Sequence, residues 1–165
     1  MAILEIIEAS SVGVWVREST SFFAYTFILT WHALGLALLC GLHGIMSLRV
    51  LGAWQAWPLA PFKKFYPLLY TALAIEIVSG SLLLIAQAVS KLTTSIFWIK
   101  LALVAAAVTV LVKMQSRVFG DAALASGTVS AEGRTLAKLA IILWIMTLIV
   151  GRMTEYPDLT AQFGL

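Results

Sequence analysis

From Phe22 to Leu48 the chain runs without a single Asp, Glu, Lys or Arg. A helix needs about 20 mostly apolar residues to cross the hydrocarbon core of a bilayer. This run exceeds that length and is closed by Arg49. Three more apolar runs follow, and they fix the class of fold. Leu68–Val89 is broken only by Glu76, and Ile96–Met114 carries Lys100 near its start. The last covers 136–153, with an apolar core over Leu139–Gly151 and Arg152 at its end. The spacing predicts four spans at about 22–48, 68–89, 96–114 and 136–153.

Composition bears out why water cannot be the whole solvent. The 165 residues are 61% hydrophobic and 12% charged, against about 25% charged in a soluble domain. The expected architecture is all-α: one domain over 1–165, a polytopic membrane four-helix bundle with a short N-terminal interfacial helix. That helix is placed at residues 2–16, with Trp15 at headgroup level. A net charge of +3 spread along the chain gives no nucleic-acid footprint. The single Cys40 permits no internal disulfide, and the absence of a CxxCH motif excludes covalently attached haem.

The connections differ in character. Residues 50–67 combine Trp54, Trp57, Pro58, Pro61, Lys63, Lys64 and Pro67, which reads as a turn at the interface. Lys91–Ser95 is a short polar turn. Lys113–Lys138 is the longest loop, with a helical extension expected at its start. Arg49, Lys63, Lys64, Lys113, Arg117, Arg134 and Lys138 fall on one side, and Arg17, Lys91, Lys100 and Arg152 on the other. The positive-inside rule then places the longer loops in the cytoplasm and both termini in the periplasm of a bacterial inner membrane.

Only two histidines occur, His32 and His43, both in the first span. Eleven residues turn a helix through three turns plus about 20°, so both point to one side, about 16 Å apart along the axis. That geometry suits axial ligands to one or two b-type haems stacked across a membrane. Bis-histidine ligation of two haems needs four histidines, so Met114, at the depth of His43, and Met146 or Met153, near that of His32, are alternative ligands. A second copy of the chain or another subunit would otherwise complete the set. Gly35, Gly41 and Gly44 would let a macrocycle or a helix approach the backbone.

The same histidines also fit a plainer role, as interhelical hydrogen-bonding groups. Cys40, His43 and Met46 form a spaced trio of soft and borderline ligands that suggests copper, although Cys40 and Met46 diverge by about 120° around the axis. Glu76 is the one carboxylate deep in a span. It suits a proton relay to a quinone, pairing with Lys100, or a chemically silent position facing a partner. Arg49, Lys100 and Arg152 suit haem propionates or lipid phosphates, or plain snorkelling anchorage. Trp31 and Trp144 suit stacking on a flat cofactor or packing.

Trp31–Gly41 (WHALGLALLCG), Ser47–Gly52 (SLRVLG), Phe97–Lys100 (FWIK), Leu143–Trp144 and Gly151–Tyr156 (GRMTEY) together resemble a family of small bacterial four-helix membrane proteins of unassigned function. Its pattern runs HxxGxxxxxG, LRxLG, then LW…GRxxxY, and the resemblance covers Trp31 to Tyr156. The family often has an acidic residue before its LR pair, where Ser47 stands, and polar residues or histidine late in its third helix, where Lys113 and Gln115 stand. It is similar in outline to CopD-like proteins and four-helix b-type cytochromes. The resemblance thus implies a fold; function at that level is analogy.

The expectation drawn from all of this is a membrane haem protein, an electron-transfer or quinone-linked subunit. His32 and His43 would be its ligands, and it would work as a homo-oligomer or with a redox partner. The alternatives are a non-catalytic scaffold or accessory subunit, and copper or small-solute transport. No nucleotide-binding motif or nucleophilic triad is evident, so catalysis is left open.

Overall fold

A computed structural model describes residues 1–121 and 127–156. Pro157 and Asp158 of the expected polar tail, and the middle of the longest loop, lie outside them. Among the described residues the only regular elements are helices, with no strand. In chain order the helices are α1 (Ala2–Glu8), α2 (Ser11–Glu18), α3 (Tyr25–Val50), α4 (Tyr66–Ala86), α5 (Ala88–Leu92), α6 (Ser95–Arg117) and α7 (Ala131–Met153), with a 3-10 segment at Ala60–Phe65 before α4. Four of them, α3, α4, α6 and α7, are long and apolar enough to cross a membrane.

Their ends differ from the sequence expectation for identifiable reasons. Helix α3 stops in a Schellman motif: Gly52, at φ +106°, follows the helix, the Gly52 N–H donates to Arg49 O (3.1 Å) and the Ala53 N–H to Leu48 O (3.0 Å). Glycine adopts that left-handed conformation without a Cβ penalty. Helix α7 starts a turn and a half earlier than its apolar run because Ser130 caps it, accepting from the Gly133 N–H at 3.1 Å. The helical extension expected after the third span is real, since α6 continues to Arg117.

The interfacial helix expected over residues 2–16 is instead two helices, docked against the chain. Ser10 caps α2 through the Gly13 N–H, and a Cβ on Gly13 would meet Glu8 O at 2.5 Å, so the turn between them is tight. Val16 is fully buried with Ile28 and Ala86. Arg17 donates to Ala86 O (3.1 Å) at the end of α4, and Glu8 accepts from the Val89 N–H (2.8 Å) in the first turn of α5. A cation at a helix C-terminus and an anion at an N-terminus both complement the local dipole.

The most extensive helix contacts pair α6 with α7 and α3 with α4, and α3 then joins α7. The main core holds Leu39, Met46, Leu69, Leu111, Met114 and Trp144 among its members. Large apolar side chains such as Leu34, Leu38, Ile77, Ile142 and Ile145 face outwards. Outward apolar surface on helices whose polar groups turn inwards is the distribution a lipid solvent permits. The end of α4 meets α1, α2 and α5 on one face, the terminal face, where α5 also meets α6 and Lys91 reaches Thr154 O just past α7. The 51–65 connection and the α6–α7 loop lie on the other, the loop face.

Candidate functional site

Helix α3 carries its two histidines to two different polar environments. His32 meets α4. Its Nδ1 lies 3.0 Å from Ser79 Oγ and 3.3 Å from Glu76 Oε2. Ser79 Oγ already donates its only proton to Ile75 O at 2.6 Å. The hydroxyl is therefore the acceptor and Nδ1 carries the hydrogen. That leaves Nε2 of a neutral His32 as a bare lone pair, with no hydrogen-bond partner among the described residues.

Two glycines allow this approach. A Cβ on Gly80 would lie 3.2 Å from His32 Cε1, and one on Gly35 would lie 2.8 Å from Glu76 Oε1. The ring thus rests on the α4 backbone while the carboxylate tucks against α3. Glu76 Oε1 is buried without a hydrogen-bond partner, and the peptide N–H of Leu36 faces the carboxylate outside hydrogen-bond geometry. Lys100 on α6 acts electrostatically on Glu76 without an ion pair within 4.0 Å, and Glu155 acts on Lys100 more strongly than Glu76 does. Its aliphatic stem packs on Gly151, and Lys91 bridges to Glu155 at 2.8 Å on the terminal face. His32, Ser79 and Glu76 therefore form one polar cluster, with Lys100 as a cation whose charge reaches it from the terminal side.

His43 is fully buried and has the opposite tautomer. The Trp144 Nε1–H donates to its Nδ1 at 2.8 Å. Indole is only a donor, so Nδ1 accepts and Nε2 bears the hydrogen, which points to Met114 Sδ at 3.3 Å. Ser47 Oγ donates to His43 O (2.7 Å) and lies 3.9 Å from the same sulfur. Both ring nitrogens are committed to the protein.

The ligand sets proposed from sequence fare differently in this arrangement. A ligating histidine normally fixes its second nitrogen on a carboxylate or carbonyl and offers the other as a lone pair, and His32 meets both conditions. His43 has no free lone pair. A metal held linearly between imidazole nitrogen and thioether sulfur needs about 4.3 Å, from bond lengths of about 2.0 and 2.3 Å, whereas His43 Nε2 and Met114 Sδ are 3.3 Å apart. Met146 is exposed on the outer surface of α7. Among the described residues no three of His, Cys, Asp and Glu come together as a metal-binding group. Cys40 is a free, half-buried thiol.

Two cavities among the described residues are lined by no histidine, although Ser79, the partner of His32, borders the first. A groove of about 390 Å³ between α3 and α4 is lined by Phe27, Trp31, Ile75 and Val78. A second cavity, of about 620 Å³, lies on the loop face beside Arg49. Arg49 is thus far along α3 from His32. Arg152 is exposed and engages Tyr156, with Nη2 at 3.0 Å from the hydroxyl and the guanidinium 5.3 Å from the ring centre. Of the three cations expected near a cofactor, only Lys100 joins a histidine.

Sequence reasoning missed Ser79, although its place three residues after Glu76 puts both on one face of α4. Trp144 meets His43 edge-on, with ring centres 6.3 Å apart at 79°, and so serves as a hydrogen-bond donor, where a stacking surface was considered. Compared with family models, characterised proteins and solved structures, the chain matches none.

Proposed function

We propose that this protein is a membrane-embedded redox subunit that binds one b-type haem through His32 and takes part in electron transfer or quinone-linked chemistry. One observation carries the reading: His32 alone of the two histidines presents an unprotonated nitrogen, with its other nitrogen held by Ser79 and Glu76. Haem would supply one-electron chemistry. The chain would supply the imidazole, a carboxylate beside it to hold or pass a proton, and Lys100 as countercharge for a propionate or a reduced quinone oxygen. Any further ligand would come from a second copy or a redox partner, since Met146 is exposed on the surface of α7. The basic residues of the loop face favour a cytoplasmic loop face and periplasmic termini in a bacterial inner membrane.

The test is to purify the protein gently from its native membrane and record oxidised and dithionite-reduced spectra with metal analysis. About one haem per chain is expected, lost in His32→Ala and retained in His43→Leu. Absence of a Soret band and of bound iron sinks the reading. Two haems per chain would refute the structural role given to His43.

A second reading, a non-catalytic scaffold, is favoured by His43 itself, whose fully satisfied network with Trp144, Met114 and Ser47 is what interhelical packing by a polar side chain requires. It predicts that substitutions at His32 and Glu76 alter assembly with no spectral change.

A further inference from the structure

The loop-face cavity of about 620 Å³ is lined by Arg49, Gly52, Gln55, Thr128 and Arg134, together with apolar side chains, and among the described residues by no carboxylate. Arg49 is only 8% exposed. Its Nε–H donates to Trp57 O (2.7 Å) and an Nη2–H to Gln55 O (3.3 Å). Those carbonyls satisfy part of the guanidinium fork but neutralise none of its charge. Among the described residues neither Arg49 nor Arg134 has an ion-pair partner. A buried cation without a counter-anion is costly.

The second arginine makes the imbalance worse. Arg134 ends the first turn of α7, where the helix dipole is positive and a cation is disfavoured. Two guanidinium groups and the start of a helix therefore bring positive potential to one walled space, and its volume lies within the range of small-molecule sites. Arginine forks match the oxygens of phosphate bidentately.

We infer that this cavity is a binding site for a phosphate-type oxyanion, held between Arg49 and Arg134. Two sources offer that chemistry where the loop face meets the membrane surface: an anionic lipid headgroup and a free phosphate. The site is separate from the His32 cluster, and the inference stands whether or not a haem is bound there.

The experiment uses the full chain in an uncharged detergent. Phosphatidylglycerol and phosphatidylcholine are compared by native mass spectrometry, and millimolar inorganic phosphate by the midpoint of thermal unfolding. Arg49→Gln risks releasing the 51–59 loop that Arg49 ties down, so the exposed Arg134→Gln carries the test. Lys63→Gln, an exposed loop-face cation outside the cavity lining, is the control. Retention of phosphatidylglycerol over phosphatidylcholine, weakened about tenfold in Arg134→Gln and unchanged in Lys63→Gln, supports a lipid headgroup. Stabilisation by inorganic phosphate with the same dependence on Arg134, without lipid selectivity, supports a free phosphate. No response to either probe, or equal losses in both variants, overturns the site, the latter by reducing it to diffuse surface charge.

Discussion

Trp144→Phe tests the assignment of His43 as a structural residue. The change removes the one donor that reaches His43 Nδ1 and leaves a buried lone pair unpaired. Interhelical hydrogen bonds in a membrane average about 0.6 kcal/mol and reach about 1.7 kcal/mol. The upper end applies here, because His43 and Trp144 are 0% and 3% exposed and no water can replace the donor cheaply. Phenyl in place of indole also leaves a void of roughly 40 Å³, worth about 1 kcal/mol at the measured cavity coefficient. The expected loss is therefore about 2.7 kcal/mol, with bound haem per folded chain unchanged. The assay is reversible unfolding in mixed micelles, with visible spectra on the same samples. Trp31→Phe is the matched control. Trp31 is 43% exposed on the outside of α3, and its loss should cost under about 0.5 kcal/mol. Equal costs at both tryptophans would refute the hydrogen-bond argument. Loss of haem in Trp144→Phe without loss of fold would refute the structural role of His43.

Two further outcomes follow from packing. Gly35→Ala should separate α3 from α4 and cost about 1–3 kcal/mol as overpacking, since its Cβ would meet Glu76 Oε1 at 2.8 Å, Ile75 Cγ2 at 3.1 Å and Ala72 O at 3.3 Å; Gly41→Ala, with nothing within 4 Å, should be neutral or stabilising in the same unfolding assay. Glu8→Ala removes the acceptor for the Val89 N–H and an ion-pair partner of Arg17, so amide hydrogen exchange should quicken at Val89 and across α1 and α2 while α6 and α7 stay protected; unchanged protection at Val89 would refute the docking role of the N-terminal pair.

The long helices were legible because each rests on one local quantity, about 20 mostly apolar residues, whereas their ends, set by Gly52 and Ser130, were not read from the apolar runs. The depth argument was legible too: α3 and α6 run in the same direction across the bundle, so Met114 comes level with His43, and the two touch. The roles of the histidines were not. Which nitrogen of His32 is free depends on Ser79, 47 residues away, and His43 is occupied by Trp144, 101 residues away. Rotation on one helix puts both rings on a common side but says nothing of what another helix offers them. The broken N-terminal helix escaped for a related reason. A period-3.6 apolar pattern carries through Ala9 and Ser10, and the break is set by how Glu8 and Arg17 reach α4 and α5.

The vertical arrangement of polar groups bears on whether anything could pass through the chain. Charged groups descend from Glu155 and Lys91 through Lys100 to Glu76 and His32. The next polar level, at His43, is about 16 Å deeper by helix rise. Between and around these levels the interior is filled by Leu39, Leu69, Ala72, Ala107, Leu111 and Ala140, each at most 1% exposed. At His43 both ring nitrogens are tied. A solute or ion arriving at Glu76 from the terminal face would meet a close-packed apolar layer and then a closed hydrogen-bond network. Transport of copper or a small solute would require that layer to open, with the stacked contacts of α3 against α4 and α7 giving way together. A site that exchanged protons or electrons with the terminal face alone would need no such opening.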